Sequence, residues 1–379
     1  MRTRARTPAV RCTVAALLLI ATGCTAGPVT PPAPSPAPPV QLDGWGRVPL
    51  PDAMHASSIA LIGRTLVVGG YVGTGTDRAP ALARGAAADP HFAAADVAPQ
   101  TPYGKVADLV SVTGSGSSVV ALGAAHGGAH SNFRWTVWSG STGRVIDRPQ
   151  SFYAFGGEEA GGLLDVAWDG SGPMIVGTWQ GARGLDGRIW RVAHDRWSRQ
   201  APVPALTNTA TRQVAPRAAE TRSGATVISG SVIDLADGVH QSAAIWRGSG
   251  ASWTLTVLPD AGRRSEAWST DCAASCATLG SRDGVAALWD DGARAPLPEL
   301  TVGDGDNGVV LNGSDRVLAA LSSSGSGRLL VGHAGEWRAY TAPDGVVRAA
   351  LLVGSRLYLV TEDGGGSLWS RDVSDLLAR

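Results

Sequence analysis

The sequence predicts an all-β protein, a seven-bladed β-propeller of four-stranded antiparallel blades, closed by an N-terminal strand that pairs in the last blade. Three observations predict it. Fifty glycines and 23 prolines accompany a 44% apolar composition, which suits many short strands joined by tight turns better than helices or disorder. A unit recurs seven times from about Ile59 to the C-terminus: a short apolar strand with an internal Gly, a strand ending in Trp, and a strand of the form Trp-x-x-x-x-x-Pro. The last copy, LYLVTEDGGGSLWSRDV, lacks the third piece, and that piece, GWGRVPLP, stands at residues 44–51. A ring sealed by its own N-terminal strand accounts for both facts.

The chain reads in order as three parts: 1–23, 24–41 and 42–379. Arg2, Arg4, Arg6 and Arg11 precede a short apolar run, Thr13 to Ile20, which reads as a targeting signal too short to span a bilayer comfortably. Ala21-Thr22-Gly23-Cys24 follows and resembles the lipobox of bacterial lipoproteins, with Ala21 where that family more often has Leu or Val. The resemblance implies cleavage before Cys24, its lipidation, and a protein anchored outside the cytoplasm. An ordinary secretory signal is the alternative. Residues 25–40 hold seven prolines, which forbid regular helix and sheet and favour an extended tether.

Cysteine usage agrees with export. Cys12 leaves with the signal and Cys24 is consumed by lipid, so Cys272 and Cys276 remain for a disulfide. They face each other across a three-residue hairpin turn in the fifth repeat, at a separation that antiparallel pairing makes compatible with a disulfide. A redox role would need further cysteines or a helix N-terminus. The formal charge is zero and no strongly basic patch is visible, which argues against nucleic acid.

The repeats are marked by Gly69, Gly123, Gly177, Gly230 and Gly280, then by Ala320 and Thr361, at intervals of 54, 54, 53, 50, 40 and 41 residues. Such periods fit four-stranded propeller blades. The innermost strands are expected at 59–61, 106–112, 163–168, 215–219, 267–270, 309–311 and 347–353. Trp138, Trp190, Trp246, Trp289 and Trp369 end the third strands, and Trp197, Trp253, Trp337 and Trp45 open the fourth. Recurrence at equivalent positions points to packing between blades rather than to a carbohydrate platform, which would be local. Six blades is the alternative if the first repeat, Ala-rich and without Trp near 80–84, is not a blade.

This organisation resembles extracytoplasmic bacterial β-propellers of the broad WD40-like and sialidase-like kind, over residues 42–379. Segments 361–369 and 281–289 are similar to the Asp-boxes that cap hairpins in sialidase-like propellers, with the Trp one residue late. No His and Trp-Asp signature recurs, so true WD40 repeats are not indicated.

Candidate site residues follow from loop position. Loops 124–132, 180–187 and 233–241 and the linker 151–162 are long and converge on one face, where function is usually placed on a rigid scaffold. They nominate His126, His130, Tyr153, Phe155, Glu158, Glu159 and Asp186 as ligand-binding. His126 and His130 have a metal-compatible spacing on a helix, but they lie in a Gly-rich loop without an obvious third ligand, so no metal and no cofactor is expected. Asp304-Gly-Asp306-Asn307-Gly308 lacks the Glu of a calcium loop and reads as a turn. A sialidase would need clustered arginines, for which Arg134, Arg183, Arg212 and Arg263 qualify only by loop position. No nucleophile elbow or phosphate loop is present. The expected function is a surface-anchored binding or scaffolding lipoprotein whose partner is a protein or glycan of the cell envelope. The alternative is a secreted sialidase-like carbohydrate-active enzyme.

Overall fold

The computed structural model describes residues 38–378, apart from 89–90, 128–131, 223, 274, 314–315 and 334. Seven sheets surround a central channel. Their innermost strands are His55–Ile62, Asp108–Ser115, Ala160–Asp169, Arg212–Arg222, Ser265–Cys272, Gly308–Asn312 and Val346–Val353. Each contacts the next around the ring, and the last contacts the first. The irregular first repeat is therefore a blade. The second blade departs from expectation, because Asp96–Ala98 adds a fifth strand, parallel to Arg144–Asp147. The connection leaving the first blade is long enough to run along the outer edge of the second before turning inward.

The seal is where the sequence places it. Gly46 pairs with Ser370 and Arg47 with Trp369, and Val48 N donates to Leu368 O at 2.8 Å. The segment before it also grips the sixth blade: Val40 N donates to Ala339 O at 2.9 Å and Thr341 N to Val40 O at 3.0 Å. Leu42 is buried in the core between these last two blades.

The repeated glycine has a structural cause. In six blades the innermost strand bulges relative to its neighbour, at Ser57, Val110, Leu164, Arg217, Trp268 and Arg348, and the third blade has a second register shift between Ala160 and Leu163. Such a bulge bends the strand and re-aims a side chain, and all six of these residues line the channel. The bend presses backbone against the second strand. A Cβ on Gly230 would lie 2.2 Å from Ala215 O, and one on Gly280 would lie 1.9 Å from Glu266 O. At these two positions the approach leaves room for glycine alone. The sixth blade, with Ala320 at the marker position, has no bulge. The seventh keeps the bulge opposite the buried Thr361.

The repeated third-strand Trp serves packing between blades. Trp138, Trp190, Trp246 and Trp289 are completely or almost completely buried. The indole N–H groups of Trp190, Trp246 and Trp289 donate to Ala154 O, Ala205 O and Pro259 O at 2.9, 2.8 and 2.8 Å. Each acceptor lies in the connection entering that blade, so one side chain fills the interface and pins the linker.

The disulfide is formed. Cys272 and Cys276 are paired in register with Cα atoms 4.0 Å apart.

Candidate functional site at the channel mouth

Among the described residues, neighbouring innermost strands do not hydrogen-bond through their backbones, so their inward N–H groups need other acceptors. Short polar side chains supply them. Val310 N donates to Ser269 Oγ at 2.8 Å and Asn312 N to Asp271 Oδ2 at 2.8 Å, both across the gap between the fifth and sixth blades. Asp165 spans three blades: Ser111 Oγ donates to its Oδ1 at 2.5 Å, Val166 N to Oδ1 at 2.9 Å, and Ala219 N to Oδ2 at 3.0 Å.

Asp165 is partly accessible to the channel yet enclosed by protein. Burial pushes its carboxyl up, against the pull of the bonds from Ser111, Ala219 and Val166. A carboxyl raised in the folded state favours folding when protonated, so its contribution is full in acid and is lost as pH rises through the folded-state value. The stability of Asp165→Asn relative to the native chain is therefore expected to improve from about pH 4 to about pH 7, because Asn does not titrate. Urea unfolding of both proteins across that range checks the sign.

The channel has a volume of about 960 Å³. At the end where the innermost strands begin, its mouth gathers Tyr71, Arg78, Asp108, His126, Phe133, Arg348 and Glu362 from the first, second and seventh blades. The Arg78 guanidinium lies 4.1 Å over the Tyr71 ring, which stacks on His55 at 4.8 Å. Arg348 Nε donates to Glu362 Oε2 at 2.7 Å. On the opposite side Arg217 is ion-paired with Glu266 and donates to Asn307 Oδ1 at 3.2 Å. Burial pushes the Asp108 carboxyl up; the Ser57 hydroxyl, Arg78 and Arg348 pull it down, and Glu362 adds to the rise. Asp108 Oδ1 and Arg78 Nε are buried and have no hydrogen-bond partner among the described residues. The mouth thus offers aromatic faces beside planar polar groups whose charges largely cancel.

Phe133 in this mouth is one of three exposed rings on the second blade and the connection that follows it. Phe133, Phe152 and Tyr153 are 50%, 57% and 78% exposed. Phe133 packs at 4.4 Å from His126, Phe152 meets Tyr153 edge-on at 5.5 Å, and Arg134 sits 5.8 Å from the Phe152 ring.

The nominated residues divide between the surface and the interior. His126 lines the mouth, whereas Tyr153 is exposed on the short helix Phe152–Phe155, outside the channel lining. Phe155 is buried against Trp190, in the core between the second and third blades. Glu158 is exposed, and Glu159 Oε2 accepts from Trp179 Nε1 at 2.9 Å. Asp186 is buried, ion-paired with Arg188 at 2.8 Å, and accepts from Asn208 N at 2.8 Å, tying down the next linker. His130 and Cys24 lie outside the described residues. The expected loop 180–187 is mostly strand, since pairing continues out to Gly181 and Gly184. Likewise 124–132 is strand out to Gly127 and Asn132. Both hairpins extend further than a typical blade, so residues read as loop sit in sheet. Asp306 is a turn residue: burial raises its carboxyl, but bonds from Gly303 N and Ser324 N outweigh that and hold it below the usual range.

Loop position missed Arg78, Asp108, Arg348 and Glu362. The arginines lining the channel are Arg78, Arg217 and Arg348 rather than Arg134, Arg183, Arg212 or Arg263. For Arg348 a signal existed, a lone charge inside the apolar run VVRAALLV.

Among solved structures, the chain is similar to the Hadza microbial sialidase Hz136, with a TM-score of 0.46 and 11% identity over 68% of this chain and 64% of that one. It is similar to a Trypanosoma rangeli sialidase in complex with sialic acid, with a TM-score of 0.45 and 9% identity over 90% of this chain and 60% of that one. It is also similar to the β-propeller domain of the trilobed protease from Pyrococcus furiosus, with a TM-score of 0.47 and 8% identity over 85% and 96%. The chain spans less than two-thirds of the length of the two sialidases. No protein-family model and no curated protein sequence matches it.

Proposed function

We propose that the chain is a surface-anchored lipoprotein, held outside the cytoplasm by a lipidated Cys24, whose propeller binds an envelope component at the channel mouth. A saccharide is the ligand class the mouth favours over a protein. The observation that carries this reading is the juxtaposition of exposed rings with internally neutralised charges. Aromatic faces stack on sugar C–H surfaces, while Arg, Asp and Glu offer planar donors and acceptors to hydroxyl pairs. A polyanion or polycation would instead call for one uncancelled sign.

A second reading, a carbohydrate-active enzyme, is favoured by one feature. Burial raises the Asp108 carboxyl, with Glu362 adding to the rise, and a carboxyl kept protonated in this way can serve as a general acid.

One experiment addresses both. Full-length protein on a solid support is expected to retain polysaccharide from its own envelope. Changing Phe133 to Ala is expected to weaken retention about fivefold, since a lost ring contact is worth roughly 1 kcal/mol. The Phe133 ring is half exposed, so thermal unfolding should not change. Equal retention by the variant, or retention by neither protein, removes the binding reading. New reducing ends, lost in Asp108→Asn, would favour the enzyme.

A further inference from the structure

At the other face, the Cys272–Cys276 disulfide lies at the surface between the fourth and fifth blades. It lines a cavity of about 230 Å³ with Glu220, Arg247, Thr270 and Asp291. Arg247, from the third strand of the fourth blade, contacts both sulfurs: Nη2 lies 3.5 Å from Cys272 Sγ and closer still to Cys276 Sγ. We infer that this disulfide is a site of exchange with small thiols, selective for those without negative charge, and not only a staple.

Three physical points carry the inference. A guanidinium stays protonated and favours a thiolate beside it, and exchange is faster when the departing sulfur leaves as a stabilised thiolate. Arg247 thus makes Cys276 the leaving group and Cys272 the sulfur attacked. The bond also closes a very short loop, so it contributes little through chain entropy. Other contacts hold the hairpin in place. Ala273 N donates to Ser275 O at 2.8 Å, and Asn312 of the sixth blade donates through Nδ2 to Ser275 O at 2.8 Å and through its backbone N to Asp271 Oδ2 at 2.8 Å. The turn therefore stays seated when the bond opens, and the two sulfurs remain within reach of each other. Finally, Glu220 and Asp291 are exposed on the cavity wall, and they repel an anionic thiol entering it.

The step balances without a separate oxidant. An incoming thiolate forms a bond to Cys272 Sγ as the Cys272–Cys276 bond breaks. The electron pair leaves on Cys276 Sγ beside Arg247, and the proton lost by the thiol goes to solvent. A second thiolate then attacks the first thiol's sulfur in that adduct: the two small thiols leave as their own disulfide, the electron pair goes to Cys272 Sγ, and both cysteines end reduced.

The test uses the native full chain in detergent at fixed pH, mixed separately with cysteamine and with mercaptoethanesulfonate. Acid quenching and peptide mass spectrometry then locate the adduct. The expected result is an adduct on Cys272, formed several-fold faster with cysteamine than with the sulfonate. Arg247→Gln should slow it by roughly threefold to tenfold, with Arg247→Lys retaining most of the rate. Asp291→Asn should narrow the preference between the two thiols. Far-ultraviolet circular dichroism on each variant confirms that the fold is kept. No adduct short of unfolding, an adduct on Cys276, or an unchanged rate in Arg247→Gln would each overturn the inference.

Discussion

Deleting residues 38–50 is expected to cost on the order of 5 kcal/mol of stability and to turn a single unfolding transition into a broad one. The segment supplies the outer strand of the last blade, through Gly46 and Arg47, and a backbone bridge from Val40 to the sixth. It also places Leu42, Trp45, Val48 and Leu50 into two core clusters. A fully buried large apolar side chain contributes about 1.5–3 kcal/mol. Leu42 is buried and the other three are partly buried, so the sum rivals the roughly 5–15 kcal/mol of a whole domain. The deletion also bares the edge of strand Gly366–Asp372, an invitation to aggregation. Urea unfolding measures the loss. Adding residues 38–51 back as a peptide should recover part of it, because the seal is non-covalent. A deletion that unfolds at the native urea midpoint would show that the ring holds without it.

What could be read from the sequence was what each blade does alone, plus the closing strand, which showed because the last repeat lacks the piece that stands at residues 44–51. The marker glycines report a bulge within one sheet, and the Trp positions report a contact between a blade and its own entering linker. Cys272 and Cys276 are close in sequence, so register alone pairs them. The mouth is different in kind. Asp108 and Glu362 are brought together only when the last blade meets the first two, and no local pattern encodes that meeting. Arg247 reaches the disulfide across a blade boundary for the same reason. Asp186 shows the opposite failure: it was nominated as loop, but the hairpin continues as strand around it and turns the side chain inward to Arg188. Position along the chain placed His126 at the channel mouth and Tyr153 on an exposed helix, but it could not separate exposed residues from core ones such as Phe155.

Replacing Trp246 by Ala is expected to destabilise the protein by about 3–5 kcal/mol, several times the cost of the same change at Trp253. Trp246 is completely buried in the core shared by the third and fourth blades, among Met174, Ile189, Leu206 and Ile228. Its loss opens a large cavity between two sheets that have no backbone bonds with which to draw together. It also orphans Ala205 O, whose partner is the indole N–H at 2.8 Å. That carbonyl belongs to the short helix Pro204–Leu206, which seats the fully buried Leu206 under the same interface. Trp253 is only half-buried, and its N–H donates to Gly250 O within its own hairpin, so truncation there should cost about 1 kcal/mol or less. Trp246→Phe isolates the components: it restores most of the buried ring but not the hydrogen bond, and should fall between, near 2 kcal/mol. Denaturant midpoints for the three variants order them directly. If Trp246→Ala proved no worse than Trp253→Ala, the repeated Trp would not be what joins one blade to the next.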